Sequence, residues 1–231
     1  MEKRKFGRTN LKVSRLTFGC GAVGGLMTKG STSDQDRAVA WARDHGINFF
    51  DTAASYGDGA SEINLGRALR GSAGSVVVST KVGLTAQDLN NISPGIERAL
   101  DASLRRLNLD HVDIFQLHNP IGDSDTEVTI GAQRVLEEVA PAFERLRDAG
   151  KIRYLGFTAK GEPGQLHELV ASERFDSAQI FYNLLVPTAG EVMPTNHPAD
   201  DFRQLLHKAE GCGVASIGVR VLAGGALSGT E

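Results

Sequence analysis

The chain has 231 residues, 41% hydrophobic and 23% charged, with a formal net charge of −3, an ordinary composition for a soluble globular protein able to bury one substantial core. That balance gives no reason to expect a nucleic-acid partner, no run approaches the ~18 apolar residues of a membrane span, and the charged start MEKRKFGRTN has no apolar run behind it, so it is not a secretory signal. Cys20 and Cys212 are too few and too scattered for a disulfide framework or a zinc site, which makes cytoplasmic the expected location.

In chain order, KRKFGRTNLKVSR (residues 3–15) reads as a β-hairpin, with Asn10 suited to a positive φ in the turn. A first strand, LTFGCG, ends near Cys20. The first helix is expected from about Ser33 to His45, Ser33 and Asp36 forming an approximate capping box and Gly46 stopping it. The run NFFD then reads as a buried strand ending on Asp51, and the turn-rich loop after it carries Tyr56. A helix from Ser61 to Gly71 leads to the strand VVVSTK, which ends on Lys81. Ser93 as N-cap and Pro94 at N1 predict the next helix, whose inner face is Ile96, Leu100, Leu104 and Leu107. The strand VDIFQLH ends on His118. A polar loop, Gly122 to Thr126, precedes a helical region that Pro141 either kinks or restarts. Strands IRYLGFT, SAQIFYN and VASIGVRVL follow, with helices about 163–172 and 198–210 between them.

Seven strand-plus-helix units with no linker between them imply a parallel sheet with right-handed crossovers. An open doubly wound sheet and a (β/α)8 TIM barrel both fit this alternation. Polar chemistry at the ends of three successive strands favours a barrel mouth over one switch-point crevice. The fold class read here is α/β, a TIM (β/α)8-type barrel with an N-terminal β-hairpin, seven strands visible and the last βα unit missing: one domain over residues 1–231, incomplete at its C-terminus. Gly19 to Gly24 matches G-x-G-x-x-G after a strand, but the next helix is expected only near Ser33, too late for a dinucleotide fingerprint.

Each candidate group has a bland reading. Lys81 alone is a salt bridge to Asp51 lining the sheet, and His118 alone is a hydrogen-bonded rim residue. Four such groups at one mouth, however, have no obvious packing purpose. The other histidines (His45, His111, His167, His197 and His207) show no metal-ligand spacing with a third partner, and Trp41 reads as packing.

The stretches KFGRTNLKVS, NFFDTAASYG, SEINLGRAL, STK, SLRRLNLDHVDIFQLHNP, GKIRYLGFT and QIFYNLL, in this order over nearly the whole chain, resemble the aldo-keto reductase superfamily. The resemblance implies an NAD(P)H-dependent oxidoreductase that reduces aldehydes or ketones, using NADPH with NADH possible and a small-molecule carbonyl substrate. It makes Tyr56 the proton donor, Lys81 and Asp51 its tuning pair and His118 the orienter of the carbonyl. It also assigns Thr158, Gln179, Arg220, Leu222 and Gly224 to the cofactor, and Cys20 and Gly21 to the substrate pocket. The chain departs from the family pattern at Ala159, where asparagine is common, and at Val219-Arg220-Val221-Leu222, where the aromatic that stacks on nicotinamide is absent. It departs again in lacking the eighth strand, which carries the adenosine-phosphate contacts. Two rivals share the fold: a nucleotide-sensing regulatory subunit, as in potassium-channel β-subunits, and an inactive fragment.

Overall fold

The computed structural model describes residues 1–21 and 23–229. Ala22, inside the Gly19–Gly24 motif, and Thr230 and Glu231 of the terminal AGGALSGTE lie outside the described residues. The chain opens with the expected hairpin, β1 (Lys3–Lys5) antiparallel to β2 (Lys12–Ser14). Then come β3 (Phe18–Gly19), α1 (Leu26–Lys29), α2 (Thr32–Asp44), β4 (Phe49–Asp51), α3 (Ala60–Ala68), β5 (Val77–Val82), α4 (Ala86–Leu89), α5 (Ile92–Leu107) and β6 (Val112–Leu117). A small parallel pair, β7 (Ile121–Gly122) and β8 (Ile130–Gly131), precedes α6 (Ala132–Arg134) and α7 (Ala140–Asp148). The chain finishes with β9 (Ile152–Ala159), α8 (Pro163–Ala171), β10 (Ser177–Phe181), α9 (Leu205–Gly211) and β11 (Ala215–Val219).

The main sheet has seven parallel strands in the order β11-β10-β9-β6-β5-β4-β3. Its strands add one beside the next in chain order, without the reversal that defines a doubly wound sheet. The sheet curls into a half-barrel, as the hairpin beneath it shows. Phe6, Leu11 and Val13 form one apolar cluster with Phe49 and Val77 at one side and Ala215 and Ile217 at the other. Laid flat, β4 and β11 would stand roughly 24 Å apart at ~4.8 Å per strand. The hairpin bonds to both sides, through Ser14 N–H to Asn48 Oδ1 at 2.7 Å and Arg8 N–H to Gly213 O at 2.8 Å. Outward residues such as Phe115, Leu117, Leu155 and Phe157 pack under the helices in the main core.

Register sets which side chains meet inside the curl. Lys81, Gln116, Gly156, Ser177 and Ala215 stand in one row across five strands. Two residues further along, Thr158, Gln179 and Ile217 form the next row. Side chains two apart share a face, so both rows project to the same side.

Several local expectations are corrected. The positive-φ residue of the hairpin is Gly7 (φ 55), not Asn10, because a Cβ there would stand 2.6 Å from Gly213 O. Ser31, not Ser33, caps α2, accepting from Asp34 N–H. Helix α3 begins at Ala60 after a left-handed Gly59, not at Ser61, and α5 begins at Ile92 after Asn91, which places Ser93 and Pro94 inside its first turn. A short helix, α1, comes well before the expected start near Ser33, with Gly25 as its left-handed N-cap. A π-helical turn over Val135–Val139 joins α6 to α7, so Pro141 falls where a regular ladder is already interrupted. The helix expected over 198–210 is only Leu205–Gly211: Arg203 and Gln204 hold positive φ, and Thr188 takes the backbone N–H of Phe202 and Gln204. Strand β11 ends at Val219 instead of running to Leu222, because Arg220 turns to φ 55. Trp41 is exposed and stacks on His45 at 3.9 Å instead of packing in the core.

Candidate active site

Strands β4, β5 and β6 deliver Asp51, Lys81 and His118 to one end of the sheet, and the loop after β4 folds Tyr56 over them. Lys81 is the centre of the group. Its side chain is fully buried, yet its Nζ donates to Asp51 Oδ2 at 2.7 Å, to the carbonyl of Thr52 at 2.6 Å and to Tyr56 Oη at 3.2 Å. An ammonium has three N–H donors, and each has an acceptor here. Burial alone would push the Lys81 ammonium toward losing its proton; the charge of Asp51, then Tyr56 and the hydrogen bonds to both, hold it above the ordinary lysine value. Lys81 is therefore a fixed cation at neutral pH.

Tyr56 is half-buried, and its oxygen accepts from Lys81, which leaves its own O–H free to point elsewhere. His118 stands edge-on to the Tyr56 ring, with centroids 6.2 Å apart and planes at 85°. Burial first, then the Lys81 charge, push His118 down to about 4 against a pull from Asp51, with Lys160 adding a smaller push. The imidazole is neutral at pH 7, so one ring nitrogen carries a proton it can donate.

Thr158 on β9 and Gln179 on β10 are register partners, and both are buried. Thr158 Oγ1 and Gln179 Nε2 have no hydrogen-bond partner among the described residues. Buried polar atoms are nearly always paired, so an orphaned hydroxyl and amide N–H side by side fit a ligand offering both an acceptor and a donor. A carboxamide is such a ligand. Arg220, just past β11, is exposed and lays its guanidinium over the Phe181 ring at 5.2 Å. Leu222 and Gly224 lie in the exposed turn beyond it, where Gly224 takes φ 71.

The two expected pocket residues part company. A Cβ on Gly21 would touch the Tyr56 ring at 3.6 Å, so this glycine borders the phenol. Cys20, by contrast, is fully buried in the core with Met27, Val39 and Leu65. Both residues lie just past β3, which ends at Gly19, so the path of the chain in that loop sets the difference.

Three contributors escaped the sequence reading: the Thr52 carbonyl, Ser79 and Gln116. Gln116 Nε2 donates to Asp51 Oδ1 at 3.1 Å and to Ser79 Oγ at 2.6 Å, the second ligand of the carboxylate. The signal was present in VDIFQLH, where Gln116 lies two before His118 and so shares its face. Nothing in the sequence marks a carbonyl.

The aldo/keto reductase family profile matches residues 15–231, and the chain belongs to that family. It is 33% identical over 162 residues to the L-galactose dehydrogenase of Arabidopsis thaliana, across 68% of this chain and 48% of that one. It is also 33% identical over 152 residues to a probable voltage-gated potassium channel subunit beta of the same plant, across 62% of this chain and 45% of that one. An aldo-keto reductase from Klebsiella pneumoniae, solved in complex with NADPH, superposes with a TM-score of 0.69 at 26% identity, covering 96% of this chain and 69% of that one. The chain spans about half the length of the curated relatives it matches.

Proposed function

We infer that this chain carries the catalytic and nicotinamide-binding part of an NAD(P)H-dependent oxidoreductase that reduces aldehydes or ketones to alcohols, with Tyr56 as proton donor. The observation that carries this reading is the Lys81 ammonium with all three donors engaged, one of them on Tyr56 Oη. Thr158 and Gln179 would hold the carboxamide of the nicotinamide, and Arg220, Leu222 and Gly224 would border the rest of the cofactor. NADPH is the cofactor the reading favours, with NADH as the alternative. When bound, the reduced nicotinamide supplies the hydride.

The protein's own groups manage the charge that results. As the carbonyl carbon is reduced, its oxygen gathers negative charge and needs a proton. The free O–H of Tyr56 provides it, and the Lys81 ammonium 3.2 Å away stabilises the phenolate left behind. At that distance the attraction is on the order of 5 kcal/mol for an effective dielectric near 20. Asp51 keeps Lys81 protonated and aimed. Neutral His118 donates a hydrogen bond to the carbonyl oxygen and orients it without a competing charge. Gly21 leaves open space above the Tyr56 ring, which suits bulky carbonyl compounds.

Replacing Tyr56 with phenylalanine tests the assignment. Carbonyl reduction is expected to fall about 100-fold or more, while the affinity for NADPH, read by fluorescence titration, changes less than about two-fold. Turnover near the parental rate would assign the proton to another group. The potassium-channel relative supports a second reading, a nucleotide-sensing subunit. A parent chain that binds NADPH and reduces no carbonyl compound would favour that reading.

A further inference from the structure

We propose that Gln116 is a positioning residue of this site, its side-chain amide holding the Asp51 carboxylate in the orientation that keeps Lys81 aimed at Tyr56. The kinetic consequences rest on the reductase reading above; the structural ones rest on geometry alone.

Asp51 lies in the row below Lys81, beside Ser79, and the torsion that turns a carboxylate is broad and weakly restrained. Lys81 holds only Oδ2, at 2.7 Å. A single bond would leave the carboxylate free to swing about it. Gln116 Nε2 supplies the second constraint on Oδ1, at 3.1 Å, and is itself steadied by Ser79 Oγ at 2.6 Å. Two donors on two oxygens define the carboxylate plane. The reverse amide orientation would set Gln116 Oε1 against Asp51 Oδ1, oxygen facing oxygen, so the N–H side must face Asp51.

Packing is not a sufficient reason for glutamine here. Gln116 is fully buried, and its Oε1 has no hydrogen-bond partner among the described residues. An unpaired buried acceptor destabilises the fold, and a leucine of similar size would avoid it. The room Gln116 occupies is also specific. A Cβ on its register partner Gly156 would lie 2.8 Å from Gln116 Cγ, so a side chain at 156 would displace it.

The charged groups facing position 116 are Asp51 from β4 and Lys81 from β5, with His118 just past the end of β6 and Tyr56 beyond Lys81; β9 and β10 present Gly156 and Ser177 in register. This arrangement makes two full-chain variants informative. Gln116→Leu removes the donor, and kcat for carbonyl reduction is expected to fall about 10- to 100-fold with NADPH affinity within about two-fold of the parent. Gln116→Glu places a carboxylate against Asp51 at neutral pH, but once protonated its O–H can donate to Oδ1 as the amide did. Its kcat relative to the parent is therefore expected to rise as the pH falls, a dependence that a purely structural role would not produce. The proposal is overturned if Gln116→Leu keeps kcat within about two-fold, if NADPH affinity falls as far as kcat does, or if the Gln116→Glu ratio is flat with pH. If the parent reduces no carbonyl compound, the reductase reading fails, and crystal structures of the parent and Gln116→Leu decide the positioning role. An Asp51 carboxylate turned away from Lys81 in the variant supports it; an unchanged 2.7 Å contact overturns it.

Discussion

At the scale of single residues, the site is governed by what burial does to charge. His118 and Lys81 share one small space, and the sheet treats them oppositely: Lys81 is bonded to the Asp51 carboxylate and stays charged, while His118, only weakly pulled by Asp51, is pushed by burial and the Lys81 charge to stay neutral. This asymmetry has a consequence for stability. The unfolded chain protonates this histidine near pH 6.5, whereas the folded protein does so only at about 4. Between those values the unfolded state binds more protons, so stability is expected to decline as the pH falls from about 6.5 to about 4 and to lose nothing further from this group below that. Urea denaturation across that range should show the decline, and His118→Asn should flatten it. A parent and variant with the same slope would place the titration on other groups. His118 and Lys81 were legible as strand-end residues, but their opposite protonation depends on which of them Asp51 reaches, and that is a matter of register.

At the scale of elements, helix α3 is what holds the Tyr56 loop in place. It starts four residues after Tyr56, and its Glu62 is wholly buried behind the site. Glu62 accepts from Thr80 Oγ1 on β5 at 2.5 Å and from Arg106 Nε on α5 at 2.6 Å, so one carboxylate ties the helix to a strand and to a neighbouring helix. On the next turn, Gly66 allows α3 to approach the end of α5; a Cβ there would stand 2.2 Å from Leu107 O. Glu62→Gln leaves the Arg106 guanidinium without its countercharge and is expected to cost about 2–3 kcal/mol in chemical denaturation. That is less than for a fully buried pair, because Arg106 is 28% exposed. A change under about 0.5 kcal/mol would show that the pair contributes little to holding α3. The helical stripes Ile96, Leu100, Leu104 and Leu107 were readable from periodicity, and all four are buried as expected. The caps were read less well, since adjacent polar residues such as Ser31 and Ser33 are chemically equivalent candidates and the loop geometry chooses between them.

At the scale of the whole sheet, β3 and β11 are its two unpaired edges among the described residues. Ser216 and Gly218 are exposed along β11, and Val221 and Leu222 are exposed just past it. Leu16 and Trp41 are exposed near the other edge. Unpaired backbone groups beside apolar side chains are a template for association. The 231-residue chain is expected to scatter light increasingly with concentration in the high-micromolar range. Ser216→Lys, which adds a charge to the β11 edge, should reduce that scattering. A monomer whose size is independent of concentration would show that these edges do not associate. Among the described residues, no helix is long and apolar enough to cross a membrane.

What the sequence determined by itself was the alternation of strands and helices, the parallel sheet and the grouping of Asp51, Tyr56, Lys81 and His118, because hydrophobic periodicity and strand-end polar residues are local signals. The tertiary structure alone decided that Cys20 turns into the core while Gly21 borders the phenol, that Gln116 clasps Asp51, and that Thr158 Oγ1 and Gln179 Nε2 are left without partners among the described residues. Each of these depends on the face a residue takes and on which strands lie beside it. The loop just past β3 sets the first, and the register and curl of the sheet set the others.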